Sequence, residues 1–323
     1  MKSTPDLDPT TEAFGLTVPL SRRHLGLLIA AAAGALVIPG GGKATARAQD
    51  ATATPAARAA HLADLGYPEL RLVATDAGPE APREIETGRY LVVLENRGTP
   101  GGPSQFSDVN FIQLPPGASI DDLNVMLEDD GAPLPDWMGE IVSSGGFYVE
   151  AGQTGYAVLD LEPGDWYVGV GDANPFTPLT VTERTAATSA STVDPAADIT
   201  VEYGEFALAL PDQIPAGRLV WHASNLGAQT HFITFARTPE LLTIEQVQTL
   251  LTLAEGETPP PGVPDLSTIE VLTTELKNLS TGRQIWVELE LAPGTYAALC
   301  SFPDPETGLP HALLGEIAVF TVG

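Results

Sequence analysis

The feature that most constrains this chain is that it contains one pattern twice. Residues 70–98, LRLVATDAGPEAPREIETGRYLVVLENRG, align without a gap on residues 199–227, ITVEYGEFALALPDQIPAGRLVWHASNLG, at an offset of 129. Pro82 and Pro211, Ile85 and Ile214, Gly88 and Gly217, Arg89 and Arg218, Asn96 and Asn225, and Gly98 and Gly227 are identical pairs. Further on, LDLEPGDWYVGV (159–170) matches LELAPGTYAALC (289–300) at an offset of 130. A period this long describes a duplicated domain rather than a solenoid.

Each copy reads as β structure. Short runs of Val, Ile, Leu and Tyr alternate with polar residues and are cut by Pro and Gly. RYLVVLEN and RLVWHASN are strands that end in Asn-x-Gly turns, and a Pro-Gly turn precedes the strands in EPGDWYV and APGTYAAL. One helical interlude is expected per copy, over 119–127 and 243–253. The second opens on Thr243 with Gln246 three residues later, a capping-box pattern. Many short strands over about 120 residues predict an antiparallel sandwich.

The segments outside the copies set location and boundaries. Ser21-Arg22-Arg23-His24-Leu25 resembles the twin-arginine export motif, and an apolar run follows from Leu25 to Pro39. That run is shorter than the roughly 20 residues a spanning helix needs. Ala46-Arg47-Ala48 offers a small-x-small cleavage site, so 1–48 is expected to be a signal peptide and the mature chain to begin at Gln49. The expected division is then a linker at 49–66, a first domain at 67–184, a second linker at 185–197 and a second domain at 198–323. The expected location is outside the cytoplasm: periplasm, cell surface or medium, with no stable membrane span after cleavage.

Charge limits the partners. The whole chain carries 15 basic and 42 acidic residues, and removing 1–48 leaves ten against 39. Such a surface repels nucleic acid and favours a basic protein partner, or reflects a salty or acidic medium. The single cysteine, Cys300, allows no internal disulfide. In an oxidising compartment a lone thiol is buried and inert, paired with another chain, or held by a metal.

The surroundings of Cys300 bear on that choice. NLGAQTHFITF places His231 after an Asn-x-Gly turn at the head of a strand. PGTYAALC ends a later strand on Cys300, and PHALLGEIAVFTVG brings His311 and Glu316 before a closing strand. This arrangement resembles the cupredoxin family of blue copper proteins over about 198–323, and in its framework over 70–183. The resemblance implies an all-β chain of two tandem cupredoxin-like Greek-key β-sandwich domains, each with a short helical insertion. It also implies one copper ion of type 1 character, with His231 and His311 as imidazole ligands, Cys300 as thiolate and Glu316 at the axial position. Two imidazoles and a thiolate with a weak axial ligand suit copper in both oxidation states.

Two features depart from the family pattern. Ten residues separate Cys300 from His311, a long loop that Pro303, Pro305 and Pro310 would stiffen. Glu316 replaces the usual methionine, and a carboxylate favours Cu(II). Only His61, His222, His231 and His311 lie beyond residue 48, too few for a trinuclear cluster or a second, catalytic copper. No oxyanion device accompanies Cys300 and His311, and no phosphate loop or zinc-type cysteine pair is present, so the expectation is a protein that is not an enzyme. His222 is expected to be structural or solvent-facing. In the first copy Asn110 lies near the position of His231, Val170 matches Cys300, and the ligand loop is missing. The expected function is electron transfer at one copper. Copper storage or delivery, and a metal-free binding or adhesion protein, are the alternatives.

Overall fold

The computed structural model describes residues 59–128, 135–170, 176–184, 193–253 and 257–323. The signal peptide expected at 1–48, most of the linker expected at 49–66 and most of 185–197 lie outside the described residues. The protein is an all-β sandwich. The first copy supplies β1 (Glu69–Ala74), β2 (Glu84–Glu86), β3 (Gly88–Asn96), β4 (Phe106–Gln113), β5 (Val142–Glu150), β6 (Thr154–Leu161), β7 (Gly164–Val170) and β8 (Thr177–Thr182). The second supplies β9 (Ile199–Gly204), β10 (Ala207–Ala209), β11 (Gln213–Ile214), β12 (Gly217–Asn225), β13 (His231–Thr238), β14 (Glu270–Leu279), β15 (Gln284–Leu291), β16 (Gly294–Leu299) and β17 (Ile317–Val322).

These strands form two sheets, and both run through both copies. One has the order β1-β3-β6-β15-β12-β9-β10 and the other β11-β17-β16-β13-β14-β5-β4-β7-β8-β2. The copies join where β6 pairs antiparallel with β15 and where β14 meets β5. One hydrophobic core lies between the sheets, with Leu72, Val92, Phe111 and Trp166 from the first copy and Trp221, Phe235, Val287 and Phe320 from the second. Each such side chain contributes roughly 1.5–3 kcal/mol when fully buried.

The repeated turn motifs do the same work twice. Asn96 Nδ2 donates to the carbonyls of Ser104 and Val149, both at 3.0 Å, and its Oδ1 accepts from Gly98 N at 2.8 Å. Asn225 Nδ2 donates to Gln229 O and Leu279 O at 2.7 and 2.6 Å, and its Oδ1 accepts from Gly227 N at 2.9 Å. Trp166 Nε1 and Tyr296 Oη each donate to the carbonyl four residues earlier, Glu162 and Ala292, and so pin the two Pro-Gly turns.

The helical interludes are α1 (Ile120–Glu128) and α2 (Ile244–Thr252), and a single turn α3 (His311–Leu314) precedes β17. The capping box at α2 is complete: Thr243 Oγ1 accepts from Gln246 N, and Gln246 Oε1 accepts from Thr243 N. Among the described residues no helix is long and apolar enough to cross a membrane.

Candidate metal centre

Four elements deliver the four side chains. His231 is the first residue of β13, Cys300 follows β16 directly, His311 opens α3, and Glu316 stands one residue before β17. Backbone bonds lock these ends together. Ala312 N donates to Cys300 O at 2.7 Å, Cys300 N to Glu316 O at 3.2 Å, Glu316 N to His311 O at 3.0 Å, and His311 N to Phe302 O at 2.9 Å. The ten-residue loop is itself a closed hairpin. Pro303 and Pro310 form a β-bridge at its base, Asp304 N donates to Leu309 O, and Gly308 takes the left-handed backbone (φ +70°) that a glycine adopts without strain.

His231, Cys300, His311 and Glu316 are all fully buried, and one ligand atom from each lies within 4.8 Å of the others. His231 Nδ1 is 2.7 Å and His311 Nδ1 3.1 Å from Glu316 Oε2, the two Nδ1 atoms are 3.1 Å apart, and Cys300 Sγ is 3.6 Å from His311 Nδ1. Glu316 Oε1 and His231 Nε2 are buried without a hydrogen-bond partner. Two imidazoles, a thiol and a carboxylate thus converge on one buried point. This donor set fits a borderline-soft cation.

The pocket wall is aromatic. Tyr203 stacks on His231 with centroids 5.8 Å apart, Phe206 meets His311 edge-on at 5.2 Å, and Phe302 lies 5.8 Å from His311. Burial first, and then the charge of Glu316, push the Cys300 thiol well above its ordinary range. Tyr203 is raised in the same way, by burial and then by the charges of Glu316 and Cys300. Gly227 must be small: a Cβ there would lie 2.8 Å from His231 Nε2. The first copy also lends cover. Leu123 of α1, with Met138 and Phe176, shares a hydrophobic cluster with Cys300 and Phe302.

Strand register defines what the first copy has at the same positions. Ser107 faces Val149 where His231 faces Leu279, so Ser107, rather than the Asn110 expected from the sequence, is the counterpart of His231. A second register agrees, because Asn110 faces Gly169 as Thr234 faces Leu299. The link from the Asn-x-Gly turn to this strand differs in length between the copies, nine residues from Gly98 to Ser107 and four from Gly227 to His231, and strand register is needed to place it. His222 stacks on Trp286 at 4.4 Å and His61 is bonded to Glu288, so neither joins the cluster. Sequence reasoning missed Gln229, whose Oε1 is 2.9 Å from His311 Nε2, together with Tyr203 and Phe206. A lone glutamine two residues before a histidine carries no signal of its own.

No family model matches the chain, and no curated protein is significantly similar to it. Solved structures do align. Auracyanin B is 20% identical over 41% of this chain and 93% of its own, with a TM-score of 0.25. Auracyanin from Roseiflexus castenholzii is 22% identical over 38% of this chain and 94% of its own, with a TM-score of 0.24. A multicopper oxidase from Pediococcus acidilactici is 10% identical over 80% of this chain and 59% of its own, with a TM-score of 0.21.

Proposed function

We propose that this chain is an exported cupredoxin-like protein that binds one copper ion of type 1 character through His231, Cys300, His311 and Glu316, for electron transfer to or from a basic partner. The domain reading that goes with it is a leader at 1–48 and two cupredoxin-like units, 67–184 and 198–323, with the metal in the second. The observation that carries the proposal is the convergence of four buried donor atoms within 4.8 Å. Bound there, copper would supply a one-electron couple. The residues' part is to hold fixed positions and exclude water. The ligands sit at strand ends and in a bridged loop, so little of the chain needs to move when the charge changes.

A second reading is storage or delivery of copper. It draws on the carboxylate of Glu316, which secures Cu(II), and on the complete burial of all four ligands. The deciding experiment is an absorption and EPR spectrum of the purified protein during copper titration, followed by chemical reduction and reoxidation. One equivalent bound, with a thiolate charge-transfer band that bleaches reversibly, supports electron transfer. One equivalent without reversible reduction supports storage. A folded protein that takes up no copper sinks both and leaves a metal-free binding or adhesion protein.

A further inference from the structure

His311 Nε2 points away from the cluster and is 2.9 Å from Gln229 Oε1. The glutamine amide is oriented by its other end, since Gln229 Nε2 donates to Asp304 Oδ1 at 3.0 Å. Asp304 is buried and held in turn, with Oδ2 accepting from Thr307 N at 2.8 Å and from Thr307 Oγ1 at 2.6 Å. These bonds, first from Thr307 and then from Gln229, hold the Asp304 carboxyl below its ordinary range, so it is an acceptor throughout. An acceptor at Asp304 requires the amide NH2 to face it, and the amide oxygen is left for His311.

We propose that Asp304 and Gln229 form a relay that fixes His311 as the tautomer protonated on Nε2, which leaves Nδ1 as an electron-pair donor to the cluster. Gln229 and Asp304 are positioning residues. The inference rests on the copper reading only for what the exposed electron pair serves. It also gives the long loop a purpose: the segment that separates Cys300 from His311 carries the carboxylate that orients His311. A ligating histidine generally has its other ring nitrogen bonded in this way, and loss of that partner costs about 10- to 100-fold in metal affinity.

Asp304→Asn inverts the relay without changing its shape. Two donors from Thr307 meet Oδ2, so the asparagine keeps its oxygen there and turns its NH2 toward Gln229. Gln229 then rotates to accept, and its own NH2 faces His311 Nε2. Long-range proton–nitrogen NMR of the metal-free full-length protein at about pH 8, above the ordinary imidazole range, reads the tautomer directly. The wild type should carry the proton on Nε2, D304N on Nδ1, and Q229M, where Glu316 Oε2 at 3.1 Å from Nδ1 is the acceptor left to the ring, a population shifted toward Nδ1. Copper titration should show about 10- to 100-fold weaker binding in both variants. A wild-type His311 protonated on Nδ1 or on both nitrogens overturns the relay, as does an unmixed Nε2–H form in Q229M or in a folded D304N. If the tautomers behave as expected and no variant binds copper, the relay stands and the copper reading falls.

Discussion

At the residue scale the site tolerates little change, and Gly227 shows why. Its added Cβ would press on His231 Nε2 at 2.8 Å and on the backbone of Gly204 at 3.2 Å. The imidazole cannot retreat, because Tyr203 covers its face and Glu316 holds Nδ1. Gly227→Ala should therefore lower stability by about 1–3 kcal/mol, as overpacking does, and weaken copper binding together with it. Thermal melting and a copper titration of the variant test this, and unchanged values in both would show that the ring is free to move. Cys300 gives a second expectation. Its raised pKa in the folded, metal-free state means that the stability linked to the thiol is complete below the ordinary thiol value and is lost as pH climbs above it. The folded thiol should then resist alkylation at neutral pH and react only on unfolding, and copper uptake should release a proton. Rapid alkylation of folded protein at neutral pH would contradict the burial. The grouping of His231, Cys300, His311 and Glu316 was legible in the sequence through the family resemblance that the Asn-x-Gly and Pro-Gly motifs and the residues around Cys300 carry. Gln229 and Asp304 were not, since their role depends on a loop hairpin that brings distant residues together.

At the scale of the elements, the repeated Asn-x-Gly turn separates folding from function. Asn225 and Asn96 make equivalent bonds, but only the turn of Asn225 leads into His231. Either asparagine, changed to alanine, takes the side-chain donor from two carbonyls, at least one of them buried, and should cost about 1–3 kcal/mol. Asn225→Ala should also weaken copper binding, whereas Asn96→Ala should leave it unchanged at temperatures where both variants are folded. Equal copper affinities in the two variants would show that the turn does not position His231. Local chemistry of this kind is readable from sequence: the turns, the Thr243 capping box and the two helical interludes all depend on neighbours within a few residues. The length of the link from turn to strand is not, and it is what makes Ser107 rather than Asn110 the counterpart of His231: Ser107 stands nine residues after Gly98, His231 four after Gly227.

At the scale of the whole molecule, the copies are fused rather than strung together. Ala157 of β6 pairs with Val287 of β15, its own counterpart at offset 130, so the antiparallel junction sits on a local twofold axis. The two matching stretches of sequence do not show this seam, because each edge strand carries the same alternating pattern whether it meets solvent or another strand. A buried charge cluster also ties the copies: Lys277 Nζ of β14 is 2.9 Å from Asp108 Oδ2 of β4 and 3.0 Å from Glu275 Oε1. Burial works against the charged lysine, yet attraction to Asp108 and Glu275 outweighs it, and the Lys277 pKa lies above its ordinary value. Burial raises Glu275 too, against the pull of Lys277. The signs fix the pH dependence. The lysine's contribution is complete below its ordinary value of 10.5 and is lost as pH rises through the folded value. The wild-type melting temperature should therefore fall in the alkaline range beyond that point. Lys277→Met leaves two carboxylates buried without their cation and should cost about 3–5 kcal/mol at neutral pH. In that variant the lysine's share of the alkaline fall should be missing, leaving the loss linked to the Cys300 thiol, and stability should recover on acidification as the buried Glu275, already raised by burial, takes up a proton. Replacing all three residues by apolar ones of similar size should restore much of the loss, because the cost comes from unpaired charge rather than from the space. Melting curves of the three proteins from acid to alkaline pH test the scheme, and a Lys277→Met profile parallel to wild type would show that the cluster does not hold the seam.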